Sequence, residues 1–232
     1  MKYIKYFENA ITKLDLSEQD LYELPELAVT LTILSCHSNN LRKLPELPKN
    51  LIELYCWDNI LLSLPKLPNT LKNLECSNNV LGKLPKLPDK LEYLSCCEDD
   101  LYILGKLPDT LIDLHCSNNT LKKLPILPKS LIELYCIGNE LYELPDLPNK
   151  LEFLDCSDNN LKFLPKIPDT LEELNCSDND LGELPELPDS VVELNCSGNK
   201  LPYRDIEGYR LWYNEWLKIN NPIKYYANQF NI

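Results

Sequence analysis

The sequence predicts a right-handed solenoid: flat coils stacked in register, with a parallel sheet of short strands on the concave side and extended, polyproline-like chain on the convex side. A cap is expected at each end. Three observations predict it. A twenty-residue unit, L-x-x-L-x-C-x-x-N-x-L-x-x-L-P-x-L-P-x-x, begins at Leu31, Leu51, Leu71, Leu91, Leu111, Leu131, Leu151 and Leu171, with a weaker copy opening at Ile11 and a truncated one at Val191. Within a unit, residues such as Leu154 and Cys156 stand two apart, the spacing of a strand with one buried face. Two prolines close most units, as at Pro165 and Pro168. Each lacks an N–H and biases the preceding residue toward an extended conformation, so the return half cannot be a helix.

The elements follow in chain order. Residues 1–10, with Tyr3, Ile4 and Phe7 at helix-like spacing, are expected to cover the first coil. The array then runs over residues 11–201. No coil can bury its leucines alone, and stacking supplies the missing wall. The ninth position carries Asn39, Asn59, Asn79, Asn119, Asn139, Asn159, Asn179 and Asn199. An amide both donates and accepts, so it can satisfy turn backbone on its own coil and the next. Gln19 and Asp99 depart from the rule. A carboxylate cannot donate, so Asp99 is expected to weaken the ladder locally. Residues 202–232 form the C-terminal cap: Asp205 is a plausible N-cap, and Ile206, Tyr209, Trp212 or Tyr213, Trp216 and Leu217 fall on one helical face. Asn220, Asn221 and Pro222 end that pattern, and "IKYYANQF" adds a second turn or short helix. The aromatic stripe reads as a lid on the last coil, with a partner-binding helix as the alternative. One continuous array points to one domain.

Repeated stretches such as "CSNNTLKKLPILPKS" and "CSDNDLGELPELPDS" resemble the leucine-rich repeat, whose shortest variants run to about twenty residues. The doubled "LPxLP" resembles the short bacterial-type subclass known from secreted pathogen effectors, and similar arrays occur in giant DNA viruses. The resemblance covers residues 11 to 201. It implies a protein-recognition module; in a pathogen effector the place of action would be the host cytosol. Some effectors with these repeats carry a separate C-terminal ubiquitin-ligase domain with a catalytic cysteine. Here about thirty residues follow the array, and Cys196 is the last cysteine. That activity is not carried over, which leaves a binding-only effector as one reading and a self-assembling structural protein as another.

Composition narrows the classes. The formal charge is −13 over 232 residues, opposite to the basic surface that displaces counterions from nucleic acid and unsuited to an anionic membrane surface. No apolar run approaches the roughly 20 residues of a spanning helix. The start "MKYIKYFENA" has charges where a signal peptide needs its apolar core. Nine cysteines, Cys36, Cys56, Cys76, Cys96, Cys116, Cys136, Cys156, Cys176 and Cys196, share one repeat position, which Leu16 holds in the first copy. Leucine in that place marks a core position, where free cysteine behaves as a small hydrophobe. Strands about 4.8 Å apart would let exposed thiols pair, so a reducing, cytoplasmic setting is expected. No CxxC occurs and the only histidines are His37 and His115, so neither zinc nor another cofactor is expected. Cys97 should point to the opposite face from Cys96, beside Glu98, Asp99 and Asp100, whose charge disfavours a thiolate.

Function is sought in what varies between copies. Positions three, five and seven of each unit alternate with the buried ones and should line the concave face. The middle coils place there Glu53, Tyr55, Trp57, Tyr93, Asp113, His115, Glu133, Tyr135, Ile137, Phe153 and Asp155. Exposed aromatic and apolar groups in one region anchor interfaces; they could instead pack on one another across coils. From Leu31 to Ser190, positions two, three, five, seven, eight and ten carry sixteen acids against one base, Lys72, while the exposed return-half positions carry fourteen bases against nine acids. That separation can steer a protein with a basic surface toward the concave side, or can serve solubility and coil-to-coil neutralisation. No phosphate loop, HExxH or nucleophile elbow occurs, so no enzyme activity is expected. The expected state is a monomer or weak self-association.

Overall fold

The computed structural model describes residues 11–230. Among them lie ten three-residue strands: β1 (Lys13–Asp15), β2 (Ile33–Ser35), β3 (Glu53–Tyr55), β4 (Asn73–Glu75), β5 (Tyr93–Ser95), β6 (Asp113–His115), β7 (Glu133–Tyr135), β8 (Phe153–Asp155), β9 (Glu173–Asn175) and β10 (Glu193–Asn195). They form one parallel sheet in chain order. Each residue pairs with its counterpart twenty positions on, as Leu114 does with Leu134. The register follows from the sequence period, because any slip would turn a leucine face outward. Two helices follow, α1 (Ile206–Asn220) and α2 (Pro222–Phe230). The expected N-terminal cap of Tyr3, Ile4 and Phe7 lies outside the described residues.

The core is a set of columns running the length of the stack. Leu111, Leu114, Cys116 and Leu121 are fully buried, and so are their equivalents in the neighbouring coils. After each strand the chain turns through a left-handed residue, among them Asp58, Asn78, Asn118, Asp158 and Asp178, with φ between +52° and +57°. Asparagine, aspartate and glycine tolerate that conformation best, which explains their recurrence at the eighth position. At Gly138, with φ +61°, an added Cβ would also come within 2.4 Å of Asn118 Oδ1.

The ninth-position asparagines lock consecutive coils together. Asn119 Nδ2 donates toward the carbonyls of Cys116 at 3.1 Å and Ser117 at 3.1 Å in its own coil, and of Cys96 at 2.9 Å in the coil before. Its Oδ1 accepts from the amide of Leu101 at 2.9 Å. The bridged neighbour is therefore the preceding coil, whereas the sequence suggested the next. Asp99 interrupts this column while fully buried. Its Oδ1 accepts from the Asn79 amide at 2.9 Å, and Cys76 Sγ lies 3.8 Å from its Oδ2. The Leu81 amide lacks the bond that Leu41, Leu61 and Leu101 make to the next coil's asparagine. Instead Gly82, at φ +65°, donates its amide to the Asp99 carbonyl. Burial pushes the Asp99 carboxyl from 3.8 up to about 8.

The last coil is covered by α1. Asp205 caps it by accepting from the Gly208 amide at 2.8 Å, and Tyr209 and Leu217 are buried. Tyr209 Oη accepts from the Leu187 amide at 3.0 Å, and its ring meets Tyr203 edge-on at 5.3 Å. Trp212 and Trp216, expected in the lid, are 37% and 42% exposed. They pack at its rim against Tyr203 and Tyr213, because the helix turns Tyr209 onto the leucine columns instead, with Ile206 and Tyr213 beside it.

Candidate functional site

Strands β2 to β8 each bury the central leucine and leave the first and third residues half-exposed on the sheet face. In β3, β6 and β7 those two side chains touch. Tyr55 Oη donates to Glu53 at 2.9 Å, Tyr135 Oη to Glu133 at 3.2 Å, and His115 Nε2 lies 3.0 Å from Asp113 Oδ1. Position seven joins the same face, since Asp155 Oδ1 accepts from Ser157 Oγ at 2.6 Å.

The structure brings Tyr93, His115, Tyr135 and Phe153 into one column of rings, with centroids 5.5, 4.2 and 4.5 Å apart along it. Register sets His115 directly beside Tyr135 as third residues of adjacent strands, while Tyr93 and Phe153, first residues of β5 and β8, reach them on the diagonal. Tyr55 and Trp57 stand apart from it, with Asn73 and Glu75 of β4 between. Trp57 stacks at 4.1 Å and 7° on His37, a residue the sequence reading left out of the site. Ile137 is half-buried in a row with Ser117 and Ser157 and joins no ring. The rings thus pack on one another across coils and remain half-buried.

Electrostatics follow the same geometry. Burial, reinforced by nearby carboxylates, pushes the phenols of Tyr55, Tyr93 and Tyr135 up to about 12. Burial also raises the Glu75 carboxyl, another residue of this face absent from the sequence-derived set. Among the described residues, no lysine or arginine pairs with Glu53, Glu75, Asp113, Glu133, Asp155, Glu173 or Glu193. The lysine pairs fall elsewhere, such as Lys72–Glu92 at 2.6 Å, Lys123–Glu143 at 2.7 Å and Lys200–Asp180 at 2.5 Å. Coil-to-coil neutralisation therefore operates off the ring column and leaves its carboxylates unmatched. Cys97 is half-buried on this face, and its thiol is raised first by burial. The sequence had put that effect down to acidic neighbours, but three serine hydroxyls surround it and act in the opposite sense. Sequence reasoning also missed the exposed apolar residues Leu62, Tyr102 and Ile103 on the return flank. The signal was an apolar residue where other coils carry a charged one, such as Arg42, Lys83 or Lys122.

A parallel one-sheet solenoid with a twenty-residue coil and a face of variable side chains defines a repeat scaffold. No protein-family model matches the sequence, and no curated protein does. Solved structures do. A Leptospira interrogans leucine-rich repeat protein is 28% identical over 86% of this chain and 63% of its own, with a TM-score of 0.68. The functional domain of InlJ from Listeria monocytogenes, described as including a cysteine ladder, is 29% identical over 84% of this chain and 50% of its own, with a TM-score of 0.62. A Shigella effector leucine-rich repeat domain is 30% identical over 76% of this chain and 73% of its own, with a TM-score of 0.50. The chain thus spans less than two thirds of the Leptospira and Listeria chains. It belongs to the leucine-rich repeat proteins, of the short bacterial type.

Proposed function

We propose that the protein is a recognition scaffold that binds a protein partner on its concave sheet face and has no catalysis of its own. One observation supports this most: a column of four rings lies among carboxylates that no lysine or arginine of the described chain neutralises. Aromatic groups with a free edge supply anchors, and unmatched charge favours a partner of opposite sign. The partner accordingly carries a basic surface. Likeness to a bacterial effector's repeat domain supports a binding-only effector, acting in a reducing cytosol that keeps its buried thiols free.

The test is affinity capture with the native chain and with a variant carrying Tyr55→Ala, Trp57→Ala and Tyr135→Ala. The variant is first required to match the native circular dichroism and Tm. A protein retained by the native chain and lost by the variant supports the reading. Equal retention by both overturns the concave-face assignment.

A further inference from the structure

We infer that the groove at the β8–β10 end of the ring column is a subsite for the arginine side chain of a partner segment. This rests on the concave-face reading above and adds the chemistry of the side chain it takes. The ring column ends at Phe153: one face stacks on Tyr135 at 4.5 Å, and no ring covers the other among the described residues. That second face looks onto β9 and β10, where the column gives way to shorter side chains. A groove of about 260 Å³ opens there, lined by Phe153, Asp155, Glu173, Asn175, Glu193 and Asn195.

The lining dictates the ligand. Glu173 and Glu193 pair in register across β9 and β10, on strands about 4.8 Å apart, so two like-charged side chains are neighbours. Neither has an ion-pair or hydrogen-bond partner among the described residues, and both lie on exposed positions. Asp155 is already oriented: its Oδ2 accepts from Asn175 Nδ2 at 2.9 Å, and its Oδ1 from the Ser157 amide and hydroxyl at 3.0 and 2.6 Å. A cation entering the groove would lie over a free aromatic face and between two unmatched carboxylates. A guanidinium meets both requirements at once, because it is planar, stacks on rings, and spreads five donors over more than one acceptor. An ammonium is a point charge and would gain from the carboxylates without the stacking.

The experiment is calorimetric titration of the native chain with a blocked pentapeptide bearing two arginines separated by a serine. The same peptide with lysines and with citrullines supplies the comparison, each at low and near-physiological salt. The arginine peptide is expected to bind about tenfold more tightly than the lysine peptide, the citrulline peptide not measurably, and affinity to fall with salt. In Phe153→Leu the preference for arginine over lysine should disappear, while Glu173→Gln with Glu193→Gln should weaken both cationic peptides. Both carboxylates are exposed, so the double variant is expected to fold, as its circular dichroism would verify. Equal binding of the arginine and lysine peptides by the native chain, or no binding at millimolar peptide, overturns the subsite. Neither result bears on partner capture by the Tyr55, Trp57 and Tyr135 face, which is read separately.

Discussion

Replacing Asp99 by asparagine should stabilise the protein, and by an amount that depends on pH. Asp99 is fully buried in a column otherwise built from amides. Its carboxyl is pushed from 3.8 up to about 8, with burial as the leading cause. Between those values the unfolded chain is ionised while the folded chain holds its proton. The native state then binds more protons, so stability falls as pH rises from about 4 to about 8 and is level above. At pH 7 the gap from the unfolded value is about three units, and at about 1.36 kcal/mol each it costs roughly 4 kcal/mol relative to acid solution. Asparagine has no such cost. Its Nδ2 would also face the carbonyls of Cys76, Cys96 and Cys97 as Asn119 faces its own set, and its Oδ1 could accept the Leu81 amide, adding about 1 kcal/mol. The expected gain for Asp99→Asn is therefore about 1 kcal/mol near pH 4, rising to several kcal/mol by pH 8. Urea unfolding of both proteins, followed by far-ultraviolet circular dichroism at pH 4.5, 7 and 8.5, reads the difference. Groups titrating alike in both cancel. A gain that does not change with pH would refute the protonated carboxyl, and a loss of stability would refute the amide column as the reason for the asparagines.

Asn139→Ala removes the donor shared by Cys116, Cys136 and Ile137 and the acceptor of the Leu121 amide. Leaving those buried groups unpaired should cost about 2–4 kcal/mol, seen as a lower urea midpoint. Among the thiols Cys97 is half-buried while the others are buried and pushed up by burial. A disulfide reagent at pH 8 should therefore modify Cys97 first, and mass spectrometry should find Cys116 or Cys136 labelled only on unfolding. Tyr209→Ala deletes the ring that covers the last coil and the acceptor of the Leu187 amide. A cost of about 3–5 kcal/mol is expected, with light scattering that grows with concentration as the final leucines become exposed.

The coil was legible in the sequence because each structural requirement recurs. Leucine and cysteine at fixed positions define the buried columns, and asparagine at the ninth defines the ladder. Alternation along the strand also put Glu53, Tyr55, Asp113, His115, Glu133 and Tyr135 on one face, where the structure has them. Periodicity could not say how the side chains would lie. Whether Tyr135 turns its ring toward solvent or onto His115 depends on rotamers and on the neighbours in register, which no single coil reveals. His37 was missed because its partner, Trp57, sits one coil away. A helical wheel likewise treated Tyr209 and Trp212 alike, though only one of them points at the leucine columns. At Asp99 the missing donor could be read from the residue type, but the retained proton depends on how completely the neighbouring coils exclude water.

The register of the sheet has a consequence for how such a chain can change size. Nearly every buried residue meets its own kind twenty positions before and after, so excising one whole unit, for example 111–130, would rejoin leucine to leucine and put Asn139 over the turn that Asn119 serves. The interior is indifferent to copy number. The ring column is not: the same excision would remove His115 and set Tyr93 beside Glu133 rather than beside Asp113. Gain or loss of units can thus redraw the outer face in single steps while the interior continues unchanged, and specificity can drift faster than the fold.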